Sequence, residues 1–218
     1  MTTIALRARA HRMRHRTPRY ICCRIRQKLA EMAHPDAPWI TPEATRILET
    51  MIRPADTGAE FGSGRSTLWF ARRCRQLTSV ESDDQWYAKI SAALRDHGLV
   101  NIDYYRHPRD QPEETGDQSA YARVALSFDD ESIDFVLVDG LYRDHVTKFM
   151  MPKLKRGGLL IIDNVNWYIP SWTRSPYSRS PKEGCSGSLW AELVAELAHW
   201  RMIWTSSGVW DTAIFIKP

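Results

Sequence analysis

Thr57-Gly58-Ala59-Glu60-Phe61-Gly62-Ser63-Gly64-Arg65-Ser66-Thr67 decides the fold of this chain. Thr57 to Phe61 reads as a short strand, the glycines as a turn, and Ser66 to Arg73 as a helix. Glycines where a strand turns into a helix let the backbone pass close to a ligand and offer it amide donors. Taken alone, the same cluster also marks a plain tight turn. It lacks the third glycine of a dinucleotide fingerprint, and no Gly-Lys-Ser/Thr follows for a phosphate loop.

Working outward, strands and helices alternate. Gln76 to Glu81 reads as a second strand. Asp83 to His97 is an amphipathic helix with Trp86, Ile90, Ala93 and Leu94 inward, stopped by Gly98. Asn101 to Arg106 is a third strand. Ile133 to Val138 and Leu159 to Ile162 are almost continuously apolar, as strands buried on both faces are. Between them a helix over 142–154 is expected to end at Gly157-Gly158. Upstream, Thr41-Pro42 reads as an N-cap with proline at the first helical position, opening a helix over 43–52. Downstream, Ser188 to Trp200 is helical, and Met202 to Ser206 pairs antiparallel with Thr212 to Ile216 around Gly208. The pattern predicts an α/β fold: a mostly parallel seven-stranded sheet, helices on both faces and an antiparallel C-terminal strand. Segments 107–125 and 165–187 follow strands and lack periodicity, so they are candidate walls of a ligand site.

The 218 residues, 43% apolar, suit one α/β domain with a short extension. No apolar run is long enough to span a membrane, and no N-terminal stretch has the apolar centre of a secretory signal. Four cysteines without a CxxC pair point to a reducing, cytoplasmic setting. Charge is uneven. Residues 1–30 hold nine of the 30 Lys and Arg and no Asp or Glu, which leaves 21 basic against 26 acidic residues elsewhere. The chain therefore divides into a basic arm, residues 1–35, helical or partly disordered, and a domain, residues 36–218. Such an arm suits anionic lipid, nucleic acid or an acidic partner, or is a solvated leader.

Carboxylates end the strands. Glu81 stands about twenty residues beyond the glycine turn, where an acidic side chain accepts hydrogen bonds from a ribose. Asp139 ends Ile133–Val138, and Asp163-Asn164 ends Leu159–Ile162. Side by side, these three would present hard oxygen donors suited to Mg²⁺, which could lower the pKa of a bound hydroxyl. Asp139 as a helix cap and Asp163-Asn164 as an ordinary turn are the plainer readings.

Glu60 to Thr67, then Glu81, then Asp139 resemble the cofactor-binding elements of class I S-adenosylmethionine (SAM) methyltransferases, over about residues 40–218. The resemblance implies a Rossmann-like sheet. It implies that Glu60, Gly62, Ser63, Gly64, Ser66 and Thr67 approach the methionine part of SAM, and that Glu81 with Ser82, and Asp139, complete the cofactor site. Asp139, Asp163 and Asn164 further resemble the metal ligands of the cation-dependent O-methyltransferases of the catechol and caffeoyl-CoA type. Those enzymes carry a lysine base three residues after the first Asp, where this chain has Tyr142. His145 is then the candidate base, imidazole being the side chain suited to proton exchange at neutral pH, with Tyr142 as the alternative.

The expected activity is methyl transfer to a hydroxyl of a small molecule, a sugar or secondary metabolite, with Mg²⁺ or with His145 alone. Trp39, Trp69, Trp86, Trp167, Tyr168, Trp172 and Tyr177 are candidate pocket walls, Trp69 and Trp86 equally core residues. An RNA methyltransferase using the arm is a competing reading, although the acidic domain opposes nucleic acid. An NAD-linked oxidoreductase lacks its glycine spacing. The oligomeric state stays open, a homodimer included.

Overall fold

The computed structural model describes residue 15 and residues 17–218. The strands are β1 (Thr57–Phe61), β2 (Gln76–Glu81), β3 (Ile102–Arg106), β4 (Ile133–Val138), β5 (Leu154–Asp163), β6 (Arg201–Ser206) and β7 (Asp211–Ile216). They form one seven-stranded sheet in the order β3-β2-β1-β4-β5-β7-β6. β1 to β5 run parallel, and β7 is antiparallel to both β5 and β6. This is a Rossmann-like sheet, and the topology reverses beside β1 and β4, where open α/β sheets bind ligands beyond the carboxyl ends of their strands.

The helices are α1 (Pro18–Ala33), α2 (Pro42–Met51), α3 (Arg65–Ala71), α4 (Asp84–Asp96), α5 (Ala120–Arg123), α6 (Arg143–Met150) and α7 (Ser188–Leu197). The two-residue alternation of β4 divides the core. Val136 and Val138 face Val146, Met150, Trp190 and Leu193 of α6 and α7. Phe135 and Leu137 face Leu48 of α2 and Phe70 of α3. Thr41 caps α2, its hydroxyl accepting from Ala44 N at 3.3 Å, and Asp83 caps α4, accepting from Trp86 N at 2.7 Å.

One stretch departs from the sequence reading. The helix after β4 stops at Met150, not 154, because Pro152 offers no amide to the turn before it. β5 then begins at Leu154, with Gly157-Gly158 inside it. The pairing jumps from Ile133↔Leu154 to Phe135↔Leu159, so residues 155–158 bulge opposite Asp134, which Lys155 clamps at 2.8 Å. Segment 107–125 contains a 3₁₀ turn (Glu113–Gln118) and α5, while 165–187 contains only the 3₁₀ turn Val165–Trp167. Residues 1–14 and 16 of the basic arm lie outside the described residues.

Candidate active site

Glu60 is the penultimate residue of β1, flanked by Ser79 of β2 and Leu137 of β4, and is fully buried. Its Oε2 accepts from Thr67 Oγ1 at 2.6 Å and Ser79 Oγ at 2.8 Å. Thr67 Oγ1 in turn accepts from Gly64 N at 2.9 Å, so the carboxylate braces the turn through a hydroxyl. Burial pushes the Glu60 carboxyl up to about 7, against the pull of the Ser66, Thr67 and Ser79 hydroxyls. Its other oxygen, Oε1, is buried without a hydrogen-bond partner.

Gly62 has φ +102°, and a Cβ there would stand 2.7 Å from Gly140 N. Only glycine permits this bend and this closeness to the end of β4. Ser63 is held from three sides. Its N and Oγ donate to Glu81 Oε2 at 3.0 and 2.6 Å, its Oγ accepts from Tyr104 Oη at 2.7 Å, and its carbonyl accepts from Trp86 Nε1 at 2.7 Å. Trp39 stacks on Trp86 with ring centroids 5.7 Å apart. Glu81 Oε1 accepts from Ser82 N and Asp83 N at 2.7 and 2.8 Å. Glu81 thus gathers the loops after β1 and β2 at one point. A ribose hydroxyl reaching it would take the place of Ser63 Oγ.

At the ends of β4 and β5 stands Arg143, 9% exposed. Its Nε donates to Gly140 O at 3.0 Å, and one terminal nitrogen donates to Asp139 O and Oδ1 at 2.6 and 3.0 Å. The other donates to Asp163 O and, at 3.4 Å, to Asn164 Oδ1. Every donor of the fork is used. Burial alone would lower its pKa, yet Asp139, Tyr168 and Asp163 hold the guanidinium above its ordinary value. Burial raises the Asp139 carboxyl even against Arg143. Asp163, 3% exposed, is pushed well above the usual range by burial and then by Asp139, although Thr212 Oγ1 donates to its Oδ1 at 2.6 Å.

The expected metal trio is therefore brought together, but around a guanidinium. Asp139 Oδ1 and Asn164 Oδ1 both turn to Arg143, and Asp163 Oδ1 turns to Thr212. As arranged, the three residues do not fit Mg²⁺, because a fixed positive charge already stands among their oxygens.

Tyr142 is also displaced from the role expected of it. It is fully buried with φ +48°, and its hydroxyl donates to Gln111 O at 2.6 Å and accepts from Gln111 N at 3.2 Å. It pins segment 107–125. His145, half-buried, instead lines a cavity of about 820 Å³ with Glu113, Glu114, Asp117, Asp144 and Glu192. Gly116 makes room for it, since a Cβ there would meet the His145 ring at 2.7 Å. The walls come from the segments that follow β3, β4 and β5. Neither the glycine turn nor Asp139 and Asp163 reaches this cavity.

The sequence reading gave no role to Arg143 or Tyr104. The Asp139–Arg143 spacing of four residues is a signal for an ion pair, here 3.0 Å long. Of the aromatic candidates, Trp69 is core at 3% exposure, and Trp172 is 89% exposed.

Residues 59–165 match the model of a methyltransferase-domain family. This segment is a methyltransferase domain, and the chain is an enzyme. No curated protein matches the sequence. Among solved structures, a Staphylococcus aureus protein assigned as a caffeoyl-CoA O-methyltransferase is similar at TM-score 0.56 and 16% identity, covering 90% of this chain and 92% of its own. A Clostridium thermocellum protein assigned as an rRNA methylase has TM-score 0.53 and 10% identity, over 81% of this chain and 94% of its own. A Streptococcus mutans protein assigned as a methyltransferase, solved with SAH, has TM-score 0.51 and 12% identity, over 78% and 94%. These likenesses share a fold and differ in acceptor. The methyltransferase domain takes SAM, and its residues fit that cofactor. The unpartnered Glu60 Oε1 suits the ammonium of the methionine part, and Gly62 lets the turn close against the end of β4.

Proposed function

We propose that the chain is a SAM-dependent O-methyltransferase of small polyhydroxylated molecules, with Arg143 in place of a metal and His145 as the base. The observation that carries this reading is His145 in a cavity of about 820 Å³ lined by Glu113, Glu114, Asp117, Asp144 and Glu192 beside Arg123 and Lys148, on the segments that follow β3, β4 and β5; an acceptor seated there meets the SAM methyl by extending from this cavity to the glycine turn. Carboxylates accept hydrogen bonds from hydroxyl groups and leave an imidazole as the group suited to take a proton at neutral pH.

SAM, when bound, supplies the activated methyl. The chain supplies the rest. The glycine turn brings backbone amides to the cofactor, and Glu60 and Glu81 offer carboxylate oxygens to its ammonium and ribose. Arg143 ties the carbonyls ending β4 and β5 to Asp139, so the mouth keeps one shape. Glu113, Glu114 and Asp117 orient acceptor hydroxyls, and an imidazole nitrogen of His145 takes the proton of the attacking oxygen.

The test is methyl transfer from SAM to a panel of sugars and phenolic alcohols, with EDTA and with added Mg²⁺. Turnover indifferent to EDTA, with kcat of His145→Ala lowered by about 10²–10⁴, is expected. Turnover abolished by EDTA and restored by Mg²⁺ would return the metal to the Asp139–Asp163–Asn164 trio. Transfer to RNA alone would sink the small-molecule reading.

A further inference from the structure

α1 opens with Thr17 as its cap, accepting from Tyr20 N at 3.2 Å, and packs on the domain by one side only. Gln27 is buried, Cys23 lies against Gly208 in the β6–β7 turn, and Arg24 stands over the Trp210 ring at 5.9 Å. The opposite side is apolar and faces out. Ile21, Ile25, Leu29 and Met32 are 51, 55, 59 and 70% exposed. Their spacing of four, four and three residues places them in one stripe along the helix.

At 100° per residue, Arg19 and Arg26 fall on one flank of this stripe and Arg24 and Lys28 on the other, all four exposed. The helix's one acidic side chain, Glu31, is half-buried and accepts from Gln27 at 3.2 Å, off the stripe. The stripe adds nothing to the core of the domain, and water is a poor neighbour for four large apolar side chains. Cations on both flanks of an outward apolar face are the pattern of a helix that lies in the plane of a bilayer surface.

We infer that α1 docks this enzyme on an anionic membrane surface, its apolar stripe in the headgroup boundary and its flanking cations on lipid phosphates. Charge complementarity selects this partner. The first thirty residues carry nine Lys or Arg and no acid, whereas the rest of the chain is net acidic, so attraction to an anionic surface belongs to this end of the chain, and Arg19, Arg24, Arg26 and Lys28 of α1 bring it to the stripe. A nucleic acid would use the cations and leave the Ile, Leu and Met in water. The first turn of α1 also adjoins the loop after β5. His15 and Tyr177 rings are 5.2 Å apart, and Arg174 lines a cavity with Thr17, Arg19 and Tyr20. That loop carries Trp172, 89% exposed, a residue type favoured at the water–lipid boundary. The inference does not depend on which acceptor the enzyme methylates.

The test is co-sedimentation of the full chain with phosphatidylcholine vesicles, with and without phosphatidylglycerol. Binding is expected only with phosphatidylglycerol, and it weakens as salt rises. Ile25→Glu combined with Leu29→Glu should lower partitioning by at least about tenfold, with the thermal midpoint unchanged because both side chains are exposed. Arg19→Ala with Arg26→Ala should also lower it, with the stripe intact. No binding to phosphatidylglycerol vesicles overturns the inference. So does binding by the double Glu variant equal to wild type. Failure to bind vesicles together with a wild-type dimer that the Glu variant breaks would make the stripe a helix-pair interface. Failure to bind vesicles together with salt-sensitive RNA binding would make the arm a nucleic-acid contact.

Discussion

Glu60→Gln separates the electrostatic cost of the buried carboxyl from the packing around it. The Glu60 carboxyl rises from 4.5 to about 7, chiefly through burial. Below pH ~4.5 it is protonated in both folded and unfolded chains, and its contribution is fully present. As pH rises, the unfolded chain releases the proton first and the folded chain keeps it, so stability falls with pH until the folded carboxyl also ionises near 7. The loss amounts to roughly 3 kcal/mol. Glutamine stays neutral and escapes this loss. Asp139 and Asp163 are present in both proteins and cancel in the difference. Urea unfolding at pH 5 and pH 8 measures it. The stability of the variant relative to wild type should rise by roughly 3 kcal/mol between the two conditions, over a constant offset from the altered bonds to Thr67 and Ser79. Parallel profiles for the two proteins would refute the buried, proton-holding state of Glu60.

Other expectations follow from single contacts. Arg143→Ala leaves buried Asp163 beside a half-buried Asp139 with no counter-charge and should cost about 2–4 kcal/mol in denaturant unfolding, with Lys a poor substitute because one ammonium cannot span the same carbonyls; a cost below about 1 kcal/mol would show the clamp to be dispensable. Gly62→Ala, at φ +102°, should weaken SAM binding more than about tenfold by calorimetry, and an unchanged affinity would place the cofactor elsewhere. Thr212→Val removes the 2.6 Å donor to Asp163 and should destabilise by about 1–3 kcal/mol, read as a lower urea midpoint.

β1, β2 and β4 have the bounds expected from their residues: β4 because a strand buried on both faces leaves an apolar run, β1 and β2 because the glycine turn and the Ser-Asp-Asp helix start mark where they end. The strand–glycine–helix turn and the acid ending β2 were legible for the same reason: both are local. The bulge at 155–158 was not, since it arises from pairing with Asp134 and Lys217 rather than from any pattern along β5. The donors Asp139, Asp163 and Asn164 were legible as a converging set. What fills the space between them was not, because it depends on where the long Arg143 side chain reaches. Tyr142 and His145 are three residues apart yet face different surroundings, for the left-handed backbone at Tyr142 turns its ring into the core.

β7 lies between β5 and β6, although it follows both in sequence. During synthesis, β5 therefore waits with one side unpaired, and that side includes the wholly buried stretch Leu160–Ile162. No nascent chain shorter than Asp211–Ile216 can close the sheet, and β6 has no neighbour to join until then. Ribosome-bound chains halted before Asp211 should be cut by protease near β5 and be prone to pair edge to edge, while chains that carry β7 clear of the ribosome on an added C-terminal linker resist.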